Sequence, residues 1–301
     1  MASIHQANHP GQEMKISYRI RNKHLQDFYF YENPKNKGVR LWNRCNSKGK
    51  PQGHKRKFIE IKGSYIEDIV YPKEEKGLLR FWGEYEGHSE FELLQPLINE
   101  PYWNSPCAVH RPFFCKQNIN DQNTDPYIFG NNLYYAICKK GKLINLEIGD
   151  LILFGSEFGS KDSAKFYLDT LFVIENEIPS IINSSFDEIF IESTLKRIGL
   201  SNCTNGTMPI HIGKKFCCDN NIFSFFPAKV SNNEKSGFGR PVIDTVNLGL
   251  LKPGARTGAK SKRLENNENI FDIWKNIAQS VVNQGFVLGI HTENLCYRTN
   301  I

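Results

Sequence analysis

The stretch GDLILFGSEFGSKDSAKFYLDTLFVI, residues 149–174, decides how the chain is read. Gly149-Asp150 is a turn pair that launches LILFGS, a continuous apolar run that fits a buried strand. A polar connection follows, Gly155 to Lys165. Phe166 to Ile174 then returns as a second apolar run, so the stretch reads as a long-looped hairpin of two strands, Asp150–Phe154 and Phe166–Ile174.

Upstream, short strand signals dominate. MKISYRI (14–20) alternates Ile16, Tyr18 and Ile20 on one face, and DFYFY (27–31) is a second candidate. A short strand fits Val39–Trp42, and an aromatic one fits Asn132–Cys138. Phe58–Tyr71 supplies strands or one short helix, which periodicity alone does not decide. In GLLRFWGEYE (77–86), Leu79 and Phe81 share a face and Gly83 breaks the strand, as expected at a bulge or a close backbone approach. Glu90–Ile98 reads as a linker or short helix. Downstream, Ser185–Ile198 reads as a helix capped by Ser185 and ended by Gly199. Glu268–Gln284 is the clearest helix: Ile270, Trp274, Ile277 and Val281 fall at helical spacing, Asn267 can cap it and Gly285 ends it. Phe286–Ile290 is a final strand. Mostly strands with a few helices imply an α+β chain with a mixed or barrel-like sheet core. A boundary at 176–184 divides a strand-rich part with a base pocket, 1–175, from an α+β part, 176–301; a single integrated unit fits equally.

Composition bounds the rest. With 301 residues, 40% hydrophobic and 23% charged, the chain has ordinary globular usage. The 12% aromatic share argues against disorder and suits a β-rich core first and base-stacking surfaces second. A net charge of +6 does not by itself call for nucleic acid. Two basic segments free of acids, KGKPQGHKRK (48–57) and KPGARTGAKSKR (252–263), read as exposed loops able to contact phosphates through Lys55, Arg56, Lys57, Lys260, Lys262 and Arg263. The opening residues hold no apolar signal-peptide core and no run reaches membrane-span length, so the expectation is a cytoplasmic protein, without a membrane partner, whose eight cysteines are reduced.

Three groups can carry chemistry. Cys107, His110 and Cys115 offer three soft ligands within nine residues; zinc takes about four, the fourth from Cys138, His88, Cys217 or Cys218. The same group can be read as a nucleophilic cysteine activated by His110 and Arg111, or as buried cysteines with a satisfied histidine. Glu84 and Glu86, on one strand face beside Trp82 and Tyr85, can hold or share a proton, or accept hydrogen bonds from a guanine-like base. The amide- and carboxylate-rich turn from Asn118 to Asp125, followed by Phe129, Tyr134 and Tyr135, can read a base edge or simply form Asx turns. No phosphate loop, dinucleotide fingerprint or zinc-deaminase signature is present, which disfavours ATP-driven chemistry, hydride transfer and zinc deamination.

RFWGEYEG (80–87), VHRPFF (109–114), NTDPYIFG (123–130), LEIGDLILFGS…FYLDTLFVI (146–174) and the Trp274 helix followed by GFVLGI (285–290) together resemble a bacterial and phage group. These are the nucleotide-modification-associated proteins that accompany DNA-modification and defence genes. The strand pair is also similar to that of small base-binding barrels of the PUA, ASCH and YTH type. The resemblance implies a PUA-like barrel, a pocket for a modified base and no required cofactor. It also implies duplex DNA and other DNA-modification proteins as partners. Deazapurine-in-DNA clusters insert 7-cyano-7-deazaguanine, and a further protein converts its nitrile to the amide; this chain fits that role. On that reading Cys115 or Cys107 attacks the nitrile, His110, Glu84 or Glu86 moves protons, and Trp82, Tyr85, Asp125, Phe129 and Phe154 hold the base. The rivals are a non-catalytic reader of a flipped modified base and a zinc-stabilised structural partner.

Overall fold

The computed structural model describes residues 2–8, 18–21, 24–27, 39–40, 56–85, 87–95, 97–100, 104–106, 108–115, 124, 126–136, 143, 145–158, 165–179, 186–195, 209–217, 222–232, 235–250 and 258–299. In chain order the first strands are β1 (Ser3–Asn8), β2 (Tyr18–Arg21), β3 (His24–Asp27), β4 (Val39–Arg40), β5 (Arg56–Ile66), β6 (Glu75–Glu84), β7 (His88–Leu93), β8 (Ala108–Cys115) and β9 (Tyr134–Ala136). After them come β10 (Leu151–Phe158), β11 (Lys165–Pro179), helix α1 (Glu188–Phe190) continued by a π-turn (Ile191–Leu195), β12 (Pro209–Gly213), β13 (Phe226–Val230) and β14 (Val242–Ile243). The last are β15 (Gly258–Arg263), helix α2 (Ile270–Asn283), β16 (Val287–Thr292) and β17 (Cys296–Arg298). The fold is thus β-dominated, with two helical segments among the described residues.

Apart from the β2–β3 hairpin, the strands form two sheets. One runs β15-β1-β10-β11-β12-β9, with β14 also on β11. The pair β10–β11 is antiparallel, as the sequence reading expects. The other runs β16-β13-β6-β5-β8-β7-β4, with β17 on β8, and β16 also returns to β5. That return closes β5, β6, β13 and β16 into a four-stranded antiparallel barrel. Barrel closure removes sheet edges, and here β5 has two partners on one side. Its first half pairs with β8 at Phe58 and Ile59, and its second half pairs with β16 from Gly63 to Ile66. Gly63 allows the change: a Cβ there would lie 2.5 Å from the carbonyl oxygen of His291 on β16.

Two apolar clusters hold these layers. One joins the barrel residues Ile59, Leu79, Phe81, Phe226 and Ala228 to Tyr135, Phe154 and Phe172 of the other sheet. The second lies on that sheet's opposite face, where Leu151, Leu153, Leu171 and Val173 meet Ile273, Trp274, Ile277 and Val281 of α2. Buried Trp274 keeps its indole N–H satisfied by donating to the Phe223 carbonyl at 2.8 Å. Strands from both sides of residues 176–184 close the barrel, and β11 itself runs on to Pro179.

Several local expectations are corrected. Glu90–Ile98 is not a linker or helix at its start: HSEFEL forms β7, antiparallel to β8, and Glu90 and Glu92 point outward to Arg298 and Arg111. Gly83 makes no bulge; the β5–β6 register passes through Lys57↔Gly83 unbroken, and the small residue packs on Ile59 and Phe81. The helix near 185 is capped by Asp187, whose carboxylate accepts from the amides of Ile189 and Phe190, and it continues as a π-turn. Asn269 rather than Asn267 caps α2, accepting from the Phe271 amide at 3.0 Å; Gly285, at φ +77°, does end it.

Gly63→Ala tests the closure. The added methyl group forces β16 away from β5, and a loss of about 1–3 kcal/mol is expected. Chemical denaturation would read it; an unchanged midpoint would mean that β16 does not sit against Gly63.

Candidate functional site

A chain of buried charges lies where the two sheets meet, at one end of their strands. In β6–β5 register Glu84 stands opposite Arg56. Arg56 Nη1 donates to Glu84 Oε2 at 2.7 Å, and its Nε lies 2.6 Å from Asp169 Oδ2 on β11. Asp169 Oδ1 is 3.7 Å from Arg240 Nη1, which donates to Ser156 Oγ at 3.0 Å. Next along β10, Glu157 accepts from the Gln6 amide of β1 and from Lys260 Nζ of β15, the latter at 3.0 Å. Glu84, Arg56, Asp169 and Arg240 are each at most 3% exposed. So many buried charges persist only because each cation has a carboxylate beside it.

A bulge puts Asp169 there. Phe154 pairs with Thr170 but Gly155 pairs with Leu168, so Asp169 is the extra residue on β11. Leu171 and Val173 before the slip, and Phe166 and Leu168 after it, all face the α2 cluster. Asp169 is thereby released from the alternation. Gly155 is required opposite it, because a Cβ there would run into the Tyr167 carbonyl. Bulges commonly re-aim a side chain next to a functional site. The strand ends Asn8, Arg56, Phe158, Lys165 and Gly258 lie toward this edge. Connections carried on a rigid scaffold are where binding groups concentrate.

Aromatic rings enclose the arginine. The Arg240 guanidinium lies 5.1 Å from the Trp82 ring centroid, 5.6 Å from Phe158 and 5.5 Å from Tyr167, distances at which a cation is attracted to a ring face. Trp82 also donates to the Phe238 carbonyl at 2.7 Å. Thr124 donates to the backbone carbonyl of Glu84.

The sequence-predicted residues separate into groups. Glu84 and Trp82 belong to this site, as do Arg56 and Lys260, although Arg56 is a buried ion-pair partner rather than an exposed phosphate contact. Lys57 is likewise buried, donating to the Gly87 carbonyl at 3.1 Å with its ammonium 4.9 Å from the Tyr85 ring. Charge density made residues 55–57 look like loop, yet Arg56 and Lys57 open β5. Tyr85 and Phe129 meet edge to face in the core at 5.4 Å, and Phe154 packs on Tyr135 at 5.0 Å, so these rings are packing residues. The Tyr85 hydroxyl meets the Phe113 carbonyl at 2.7 Å, and burial pushes its pKa far up. Lys262 pairs with Glu268 farther along β15, and Arg263 is exposed at the end of that strand.

Of the cysteine group, His110 and Cys115 do not come together. His110 and Cys115 are both buried on β8, five residues apart, or about 16 Å along an extended strand. They cannot share one zinc ion, whose ligands all lie within about 2.3 Å of it, nor act as a thiolate–imidazole pair. His110 Nδ1 instead lies 2.9 Å from Ser89 Oγ. Among the described residues no group of three His, Cys, Asp or Glu side chains has metal-holding geometry. Cys107, Glu86, Asp125 and Lys55 lie outside the described residues.

No family model, curated protein or solved structure matches the chain. The geometry therefore stands without a relative to interpret it. Gln6, Ser156, Glu157, Asp169 and Arg240 were missed from sequence. One signal was available: the alternation Phe166, Leu168, Leu171, Val173 breaks at Asp169.

Two outcomes follow. Asp169→Asn leaves Arg56 partly uncompensated and should cost about 3–5 kcal/mol, whereas pairing Arg56→Met with Asp169→Leu should recover much of it. A double-mutant cycle with no coupling would remove Asp169 from the network. Outside this cluster, burial alone would raise the Glu60 carboxyl, but hydrogen bonds from Arg80 at 2.6 Å and Arg111 at 2.7 Å hold it below its ordinary value. Its stabilising effect is present above the unfolded carboxyl's pKa of about 4.3 and is lost as pH falls through the lower folded value. Glu60→Gln should lower stability at neutral pH and flatten the acid limb of a stability–pH curve; an unchanged limb would assign it to other groups.

Proposed function

We propose that the protein acts in the cytoplasm on a 7-deazaguanine base in DNA, alongside other DNA-modification proteins. The most concrete form of the reading is hydration of 7-cyano-7-deazaguanine to the 7-amido base within a PUA-like barrel scaffold. The observation that carries it is Glu84, the acid–base candidate from the motif RFWGEYEG, held beside Trp82 in the buried ionic chain at the strand ends. A guanine-type edge presents N1–H and an exocyclic amine, and a carboxylate accepts from both. Arg56 favours the ionised form that such acceptance needs.

Cys115 is fully buried and distant from His110, and Cys107 lies outside the described residues, so the step is assigned to a carboxylate and water. Water oxygen bonds the nitrile carbon and gives one proton to a carboxylate. The C≡N π electrons move to nitrogen, which takes that proton from the carboxylic acid and restores the carboxylate, and the imidic acid tautomerises to the amide. The sum is the addition of one water.

A reader of the modified base is the second reading, and one feature favours it. The site carboxylates already face cations, Glu84 with Arg56 and Glu157 with Lys260. Paired carboxylates hold hydrogen bonds more readily than they carry protons.

Nucleoside mass spectrometry decides between them. Duplex DNA carrying 7-cyano-7-deazaguanine is incubated with the protein, digested and searched for the gain of one water. A gain that falls by about 10²–10⁴-fold in Glu84→Gln supports catalysis. Unchanged mass with tight, base-dependent retention of the DNA assigns a reader. Neither gain nor retention removes both.

A further inference from the structure

A second constellation lies on the other face of β1. Successive strand residues point to opposite faces, so Gln6 and Lys260 belong to the ionic site while their neighbours His5 and Ser261 face away from it. His5 and Ser261 stand opposite each other in the antiparallel β1–β15 register. Ser261 Oγ is 2.7 Å from His5 Nδ1, and His5 Nε2 is 3.0 Å from Asp150 Oδ2. His5 and Asp150 are buried; Ser261 is exposed on a strand that is outermost in its sheet among the described residues.

The carboxylate sets the polarity of this chain. Asp150 also accepts from the backbone amides of Ser3 at 2.6 Å and Glu147 at 2.9 Å. Burial would raise its carboxyl, but the His5 bond and these two amides outweigh that and hold it below the ordinary range. The carboxylate is therefore an acceptor only. In the neutral imidazole the proton then sits on Nε2, facing the carboxylate, and the Nδ1 lone pair faces Ser261. The serine hydroxyl then donates to the imidazole, which is the order of donor and acceptor that makes a serine nucleophilic. A hydroxyl that merely tied two strands together would not need an ionised carboxylate behind its partner.

We propose that Ser261, His5 and Asp150 form a nucleophilic relay that gives the protein a serine-type hydrolase activity on carboxylic esters. Ser261 Oγ bonds the ester carbonyl carbon as its proton passes to His5 Nδ1, and the carbonyl π electrons move to oxygen. Collapse breaks the bond to the leaving alcohol, which takes that proton. Water then repeats the cycle, releasing the acid and restoring Ser261. Asp150 orients the imidazole and stabilises its charged form, which makes it a positioning residue. The outer edge of β15 carries backbone N–H groups that no described strand takes up; such groups are suited to a developing oxyanion. This activity does not rest on the base-binding reading, and the relay shares no residue with that site.

The test is covalent labelling of the full chain with a fluorophosphonate probe. Mapping uses a protease other than trypsin, because Lys260 and Lys262 flank the serine. One adduct is expected, on Ser261, and Ser261→Ala, a change at an exposed position, should abolish it. His5→Gln, checked for a retained melting transition, should slow labelling by at least about 10²-fold. No Ser261 adduct under conditions that fully label a control serine esterase would overturn the proposal. So would an unchanged labelling rate in folded His5→Gln.

Discussion

The contact between Arg56 and Asp169 joins the two sheets through charge rather than through apolar packing. Removing two such groups from water costs several kcal/mol per ion, and mutual attraction offsets this only when the remaining hydrogen-bonding positions are also met. Neighbouring charges add to the pair. Glu84 takes the second side of the Arg56 guanidinium, and Arg240 approaches the second oxygen of Asp169. Trp82, Phe158 and Tyr167 then surround Arg240 with ring faces. Four charges of alternating sign sum to zero, so the sheets meet without a net buried charge. Such an arrangement fixes the relative register of the sheets more sharply than interchangeable aliphatic contacts would, because each partner has direction as well as volume.

The barrel and the bulge are two answers to one geometric problem. A strand has two edges, yet β5 must serve both the open sheet through β8 and the closed barrel through β16. The chain solves this with a glycine where β16 crosses close to β5. On the other sheet, β11 carries apolar residues against α2 along most of its length and must still deliver a carboxylate to the sheet junction. One extra residue does so, with Gly155 making room. In both places a missing side chain lets the backbone come close enough for distant groups to meet.

The sequence made the apolar framework legible. The hairpin of residues 149–174 and the α2 helix follow from period and capping, which are local properties. The charged residues were harder to place, because charge suggests solvent. KRK at 55–57 looked like loop for that reason, and only the register of β5 against β6 shows that Arg56 faces a carboxylate. The cysteine–histidine cluster erred in the opposite way: nearness in sequence suggested nearness in space, but an extended strand carries residues five apart to well-separated points. His5, Asp150 and Ser261 left no local mark, since strand pairing between the two ends of the chain brings them together.

That same pairing orders the events of synthesis. Ile66 on β5 waits for Leu288 on β16, and Ile4 on β1 waits for Lys262 on β15. The first sheet is not complete until β15 has been made, nor the barrel until β16 has. A nascent chain of this topology keeps unpaired strand edges for most of its elongation, the condition under which chaperone capture competes with folding.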